Sequence, residues 1–240
     1  MASGTHRPDT SRFFFALRLM ADREPLRQRL RTGLSTLRLV LDEAAIERLL
    51  DYVDLLLQWN KAYNLTAVRE PGEIVTRHLL DSLAILPYAS GATLADLGSG
   101  AGLPGIPLAI ADPARETVLV DSNGKKARFL REAVRRLALA NVRVAESRVE
   151  DVDGTFDCIT ARAFASLAEM LGWGGRLLAR NGRWLALKGR FPDDEIAAVP
   201  AGFEVERVVM LEVPGLDAER HLVILRRRDA GGGTKLGSGG

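Results

Sequence analysis

Residues 96–107 read Asp96-Leu-Gly-Ser-Gly-Ala-Gly-Leu-Pro-Gly-Ile-Pro107, with Gly98, Gly100, Gly102 and Gly105 packed into one short loop. Glycines at this density let a backbone pass close to a ligand and turn through conformations that a Cβ would forbid. The residues before the loop have strand character and those after it helical character, so the loop sits at the carboxyl edge where open α/β sheets bind ligands. A Walker loop is excluded, because no Gly-Lys-Ser/Thr follows. Gly100, Gly102 and Gly105 satisfy G-x-G-x-x-G, the dinucleotide pattern. Asp96, however, would put a carboxylate close to the pyrophosphate, an unfavourable charge pair. S-adenosylmethionine carries no phosphate. Its ammonium could meet the Asp96 carboxylate while its own carboxylate faces backbone N–H groups at the helix start. The loop by itself leaves the dinucleotide and the sulfonium cofactor both open.

Outward from the loop, short β-rich runs alternate with helical ones. Strands are expected at 93–97, 117–120, 142–145, 156–160, 183–187, 204–213 and 220–226, and helices at 105–111, 125–139, 166–171 and 193–199. Strands joined by crossover helices build a doubly wound, mostly parallel sheet. The last two strands are separated only by the turn around Pro214-Gly-Leu-Asp217 and should close as an antiparallel hairpin at the sheet edge. A seven-stranded sheet ending in this way is the Rossmann-like layout of class I methyltransferases. Asp121 ends the second strand, where an acid can hydrogen-bond ribose hydroxyls, the alternative being a helix cap. Val149 and Glu150 follow the third strand, where an adenine amino group could be read.

Ahead of the sheet, Ile46, Leu49, Leu50, Val53, Leu56 and Leu57 repeat at helical spacing. A polar break at 62–67 precedes a second helical segment at 71–86. The expected organisation is a basic, partly disordered extension over 1–38, a helical subdomain over 39–90, the methyltransferase domain over 91–228 and a disordered glycine-rich tail over 229–240. Phe13-Phe14-Phe15 lies in a short apolar run that lacks the length and cleavage site of a signal peptide, and Met20 is a candidate natural start.

Composition narrows the function further. The 33 Lys and Arg residues against 31 Asp and Glu give a net charge of +2, so a nucleic-acid partner needs a local basic face. The lone Cys158 excludes a disulfide framework and a cysteine-rich zinc site, and the widely spaced His6, His78 and His221 argue against any metal. No apolar run approaches the roughly 18 residues of a membrane span, and a soluble, cytoplasmic protein is expected.

Taken in order, the motifs point past a class to a family. Asn60-Lys-Ala-Tyr-Asn-Leu-Thr66, Arg77-His-Leu-Leu-Asp-Ser82, the loop 96–107, Asp121 with Gly124-Lys-Lys126, and Arg128-Phe-Leu-Arg131 form the first part of the set. Arg148-Val-Glu150, Ala161-Arg-Ala-Phe-Ala-Ser-Leu167, Ala186-Leu-Lys-Gly189 and Glu219-Arg-His-Leu-Val223 complete it. From about residue 41 to 227 the chain closely resembles the bacterial RsmG family, also called glucose-inhibited division protein B. That resemblance implies methylation of N7 of a guanine in the 530 loop of 16S ribosomal RNA (guanine 527), with S-adenosylmethionine as donor and S-adenosylhomocysteine as product. It implies cofactor contacts at Gly98, Leu103, Val149, Glu150 and Arg162, with Asp121 matching the family's acid. Asn123 departs from the apolar residue of many relatives.

From the residues themselves, Asp96, Gly100 and Asp121 complete the expected cofactor set. Arg162, after the fourth strand, faces the point where methyl and acceptor meet and could hydrogen-bond guanine O6 or a phosphate, or else pair with Asp157 or Glu150. Lys188 ends the fifth strand in a similar place. Lys125, Lys126, Arg128 and Arg131 make a basic cluster suited to RNA. Asn64, Arg77 and His78 resemble the family's substrate-side residues, while His78 could equally be a packed histidine. No Ser-His-Asp set, amino-methylation motif or cysteine pair accompanies them. The partner expected is 16S RNA or an assembling small subunit, met by a monomer without DNA or membrane. Three other readings stay open: another methyltransferase on this fold, a non-catalytic module docking on RNA, and a nicotinamide dehydrogenase.

Overall fold

The structure is a computed structural model that describes residues 10–162 and 165–228, with side chains from residue 23 onward. It opens on two helices, α1 (Thr10–Thr36) and α2 (Glu43–Tyr63). Asp42 caps α2 by accepting from the Ala45 N–H at 2.7 Å, and Asn64 closes it in the left-handed region at φ 49°. A continuous helical run follows: α3 (Pro71–Ile74), a π-helical turn (Val75–Leu80) and α4 (Asp81–Leu83). A π turn widens the helix by one residue, a distortion common at functional sites, and here it carries Arg77 and His78.

The boundary expected at 38/39 does not divide the helical part. Leu30 and Leu34 of α1 are buried in the same apolar cluster as Leu49, Leu50 and Leu56 of α2. α1 packs so closely that a Cβ on Gly33 would overlap the Leu80 side chain. Three of the arginines that made this segment look basic face acids of α2. Arg23 pairs with Asp51 and Asp54, Arg27 with Glu47, and Arg31 with Glu43. Partly exposed pairs of this kind are worth about 0.2–1 kcal/mol each, so they set register more than stability. The remaining expectations for residues 1–9 and 229–240 lie outside the described residues.

The sheet contains β1 (Thr93–Leu97), β2 (Glu116–Val120), β3 (Val142–Ala145), β4 (Phe156–Arg162), β5 (Leu178–Lys188), β6 (Phe203–Met210) and β7 (His221–Arg227). Their order is β3-β2-β1-β4-β5-β7-β6, parallel from β3 to β5, with β7 antiparallel to both β5 and β6. The expected doubly wound sheet with a terminal hairpin is therefore present. The chain reverses direction of winding between β1 and β4, which opens a crevice at their carboxyl ends.

Helices α5 (Gly105–Ala111) and α6 (Gly124–Arg136) cover one face together with the N-terminal helices. α7 (Leu167–Gly174) and α8 (Asp193–Ala197) lie on the other, where Ala95, Leu97, Ile159, Leu171 and Trp184 form a second apolar layer. β5 begins five residues earlier than its apolar core 183–187 suggested, because Leu178 pairs with Phe156 beyond a bulge. α6 stops at Arg136 rather than 139, since Ala138 turns to φ 51°. Cys158 is fully buried on β4 between these layers, and burial pushes its thiol up to about 12. It is a core residue.

Candidate active site

The glycine loop takes its shape from hydrogen bonds to both neighbouring strands. Ser99 donates its hydroxyl to the Asp96 carbonyl at 2.8 Å, its N–H reaches the Val120 carbonyl at 2.9 Å, and its Oγ accepts from the Val120 N–H. Gly98, Gly100 and Gly102 have φ of 69°, 60° and 87°, which L side chains rarely adopt. From the helical part, the buried Tyr52 hydroxyl donates to the Ala101 carbonyl at 2.6 Å. The loop is thus pinned from three sides.

Asp96 does not face the crevice. It is one residue short of the end of β1, so strand alternation aims its carboxylate beneath the loop, toward α5. There it accepts from the Gly105 N–H at 3.1 Å and the Thr160 hydroxyl at 3.0 Å, fully buried. Burial pushes this carboxyl up to about 6, against the pull of its hydrogen bonds. A Cβ at Gly105 would come within 2.8 Å of the carboxylate, so glycine is needed for α5 to dock. The cofactor contact expected of Asp96 is therefore replaced by a scaffolding one.

Over the loop lies a cavity of about 760 Å³, the size of a small-molecule site. Gly98, Gly100, Leu103, Asp121, Val149, Glu150 and Arg162 all line it, which brings together the whole expected cofactor set except Asp96. The Asp121 carboxylate accepts from the Gly100 N–H and the Asn123 N–H, both at 2.9 Å, and Lys126 lies 3.9 Å away. Asp121 is thus no helix cap. That role belongs to Asn123, whose side chain accepts from the Lys125 and Lys126 N–H groups. Leu65, Thr66 and Arg148, motif residues without an expected site role, also line the cavity, and so does Trp173, which no motif contained. Trp173 sits on α7, far in sequence from every loop motif, and nothing in its local pattern marks it.

At the other end of the cavity, Arg162 pairs with Asp81 rather than with Asp157 or Glu150. Its Nη2 lies 3.1 Å from the Asp81 carboxylate and donates to the Arg77 carbonyl at 3.0 Å, while its Nη1 is buried without a partner. Asp157 instead ties down the start of β1 through the Ala92 and Thr93 N–H groups. Arg220 holds the other Asp81 oxygen at 2.9 Å. His78 is buried, lines the cavity and shares a 2.7 Å hydrogen bond with the Thr66 hydroxyl. Burial, reinforced by the Arg162 charge, pushes its imidazole down to about 4, so it is neutral near pH 7. It is both packed and facing the cavity.

Other expected residues fall elsewhere. Lys188 does not line the cavity. It shares a face of β5 with the buried Ala186, above α7 and α8, and donates to the Ala165 carbonyl at 2.8 Å and the Glu195 carboxylate at 2.7 Å. Arg77 is exposed with its guanidinium 3.6 Å from Glu73, and contributes its carbonyl to Arg162. Asn64 is exposed at the end of α2. Lys126 lines the main cavity, whereas Lys125, Arg128 and Arg131 line a second one of about 620 Å³ beside it. Among the described residues no group of acids, histidines and cysteine could hold a metal.

The donor set decides between the two ligands left open by the loop. A pyrophosphate needs free N–H groups, yet Gly105 N–H is taken by Asp96 and Gly100 N–H by Asp121. Two carboxylates at those amides would repel it. A nucleoside with a cationic, phosphate-free tail meets no such repulsion, and the Asp121, Val149 and Glu150 side of the cavity carries acceptors rather than free amides.

Comparison with known proteins agrees. The family described as GidB, rRNA small subunit methyltransferase G, matches residues 45–223. A ribosomal RNA small subunit methyltransferase G from Xanthomonas euvesicatoria is 59% identical over 189 residues, covering 78% of this chain and 89% of that protein. One of the same description from Stenotrophomonas maltophilia is 58% identical over 185 residues, covering 76% and 87%. Among solved structures, a ribosomal protein L11 methylase from Lactobacillus delbrueckii superposes with a TM-score of 0.50 at 16% identity, over 62% of this chain and 77% of that one, a likeness of fold.

Proposed function

Because the chain belongs to the rRNA small subunit methyltransferase G family, we infer that it methylates N7 of a guanine in the 530 loop of 16S ribosomal RNA, using S-adenosylmethionine. The observation that carries this reading is one cavity joining the glycine loop and Asp121 at one end to Arg162 and His78 at the other. In this reading the protein acts as a cytoplasmic monomer, on RNA and not on DNA. Among the described residues no helix is long and apolar enough to cross a membrane.

Asp121 would hold the ribose, and Gly98, Leu103, Val149 and Glu150 the rest of the cofactor. When bound, S-adenosylmethionine supplies an electrophilic methyl group on a sulfonium sulfur. N7 of guanine carries a free lone pair at neutral pH, so no residue has to remove a proton. This accounts for an acceptor end lined by Arg162 and by a His78 that burial keeps neutral, with no proton for either to take. Catalysis then rests on alignment, for which effective molarities of order 10⁵ M or more are available. Arg162 presents guanidinium N–H groups suited to guanine O6 or a phosphate, and its pairing with Asp81 fixes their direction. Lys188 and Glu195 act at one remove, holding the Ala165 carbonyl and the Leu167 N–H next to β4.

The test is transfer of label from S-adenosylmethionine to small subunits, or to naked 16S RNA, taken from cells that lack the modification, followed by mapping of the labelled nucleotide. The expected product is a single N7-methylguanine in the 530 loop. No label in either substrate overturns the proposal. RNA binding without transfer would favour a docking module, and preferential binding of NAD a dehydrogenase.

A further inference from the structure

Beside the main cavity lies the second one, and Asn123 lines both. Its wall combines an aromatic ring and a set of cations, together with Asn123, Gly124 and the Glu146 carboxylate. On one side is Tyr63, the last residue of α2, half-buried and in ring contact with Trp59 (centroids 5.0 Å apart, planes at 33°). Trp59 in turn packs on Phe129 of α6, with centroids 5.7 Å apart, and Phe129 is fully buried. The Tyr63 ring is therefore the outermost member of an aromatic stack anchored in the core.

On the other side are Lys125, Arg128 and Arg131, spaced three apart on one face of α6. Arg131 is engaged by Glu146 at 2.6 Å. Among the described residues, no carboxylate stands within ion-pair distance of Lys125 or Arg128. The first-turn N–H groups of α6 at 125 and 126 are already used by Asn123, so the helix end itself offers little to an anion. What remains is a rigid aromatic face opposite two uncompensated cations. An inorganic anion would have no use for the ring, and an apolar peptide none for the charges. An unpaired nucleotide needs both, since its base stacks on aromatics and its phosphate on Lys and Arg.

Resting on the methyltransferase reading for its location, we propose that this second cavity is a subsite for the nucleotide next to the acceptor guanine. The base of that nucleotide stacks on Tyr63, and its phosphate is held by Lys125 and Arg128. Asn123 is the partition between the two bases, so the acceptor enters the main cavity only when its neighbour is seated beside it. The arrangement selects RNA in which two consecutive nucleotides are free of the helical stack.

The test uses an RNA hairpin whose single-stranded loop carries the acceptor guanine, with 2-aminopurine placed on each side of it in turn. Wild-type protein should quench one flanking probe and not the other. Tyr63→Leu should abolish that quench and weaken hairpin binding by about 5- to 150-fold, the range of one lost base stack. Tyr63→Phe should retain both within about twofold, and S-adenosylmethionine affinity should be unchanged in either, which also reports a folded protein. Arg128→Ala, on the exposed face of α6, should lower the slope of log affinity against log salt by about 0.7, one single-strand phosphate. Unchanged quenching and binding in Tyr63→Leu, with methyl transfer intact, would overturn the subsite and leave the methyltransferase reading standing. A Tyr63-dependent quench without any methyl transfer by wild-type protein would support the subsite and overturn that reading.

Discussion

Arg162, at the end of β4, and Asp81, in α4, meet at 3.1 Å across the boundary between sheet and helical part, with Arg220 on the far oxygen at 2.9 Å. Asp81 is 1% exposed, so one buried carboxylate compensates two guanidinium groups. Removing one partner of such a cluster strands a buried charge and costs about 3–5 kcal/mol. Asp81→Asn should therefore destabilise the protein by roughly that amount and release Arg162 from its place at the cavity. Arg162→Ala leaves Asp81 paired with Arg220, and its stability loss should be the smaller of the two. Its methyl transfer should fall about 100-fold or more, the scale of one lost positioning contact. Urea denaturation and kcat for each variant separate the effects. Equal stability losses would mean that Arg220 does not compensate Asp81.

The Tyr52 hydroxyl reaches from the helical part to the Ala101 carbonyl, and burial pushes its own ionisation far up, so it stays a donor. Tyr52→Phe leaves that carbonyl buried without a partner, at about 1–3 kcal/mol. Because Ala101 lines the cavity, cofactor affinity should weaken with stability, by several-fold in Kd measured by calorimetry. Unchanged Kd with lowered stability would show that the loop keeps its shape without Tyr52.

Lys188 separates a residue that touches substrate from one that positions a loop. Its ammonium lies against the Ala165 carbonyl and Glu195, off the cavity wall. Lys188→Met should lower kcat by less than about tenfold and leave RNA affinity alone, and Lys188→Arg should restore most of the loss, a pattern to be read from kcat and KM together. A loss of 10³ or more that Lys188→Arg does not repair would place Lys188 at the reacting atoms after all.

Local signals carried most of the fold and little of the contacts between parts. β1, α5 and β3 lie where strand and helix periodicity put them, because each is short, apolar and bounded by glycine, proline or polar residues. The same signals placed Gly98, Asp121 and Val149 at strand ends, and the cavity gathers them because all those ends lie on one sheet edge. Orientation was not legible. Asp96 sits in the loop motif, but one residue of strand phase turns it under the loop instead of over it. The partner of Arg162 was equally hidden, since Asp81 lies in a helix that meets β4 only once the two parts pack. Part of the apparent basicity of the first 38 residues is offset for the same reason: Arg23, Arg27 and Arg31 find their partners on α2 through tertiary contact.

Asp96 and His78 impose opposite pH dependences on stability. Burial raises Asp96 to about 6, so the folded protein holds that proton more tightly than the unfolded chain. Its contribution is full below the ordinary carboxylate value and is lost as pH rises through about 6. His78 runs the other way: lowered to about 4 by burial and by Arg162, it contributes fully above its ordinary value and loses that contribution as pH falls toward 4. Between about pH 4 and pH 6 the two slopes oppose, and the wild-type profile from these groups should be nearly flat. Asp96→Asn removes one side. Its stability should then rise with pH across that window, by up to about 1.4 kcal/mol per pH unit. His78→Gln removes the other, and stability should fall across the same window. Urea midpoints at about pH 4.5 and about pH 6 for the three proteins check both signs. Parallel profiles for wild type and Asp96→Asn would mean that the Asp96 carboxyl titrates in the folded protein as it does in the unfolded chain.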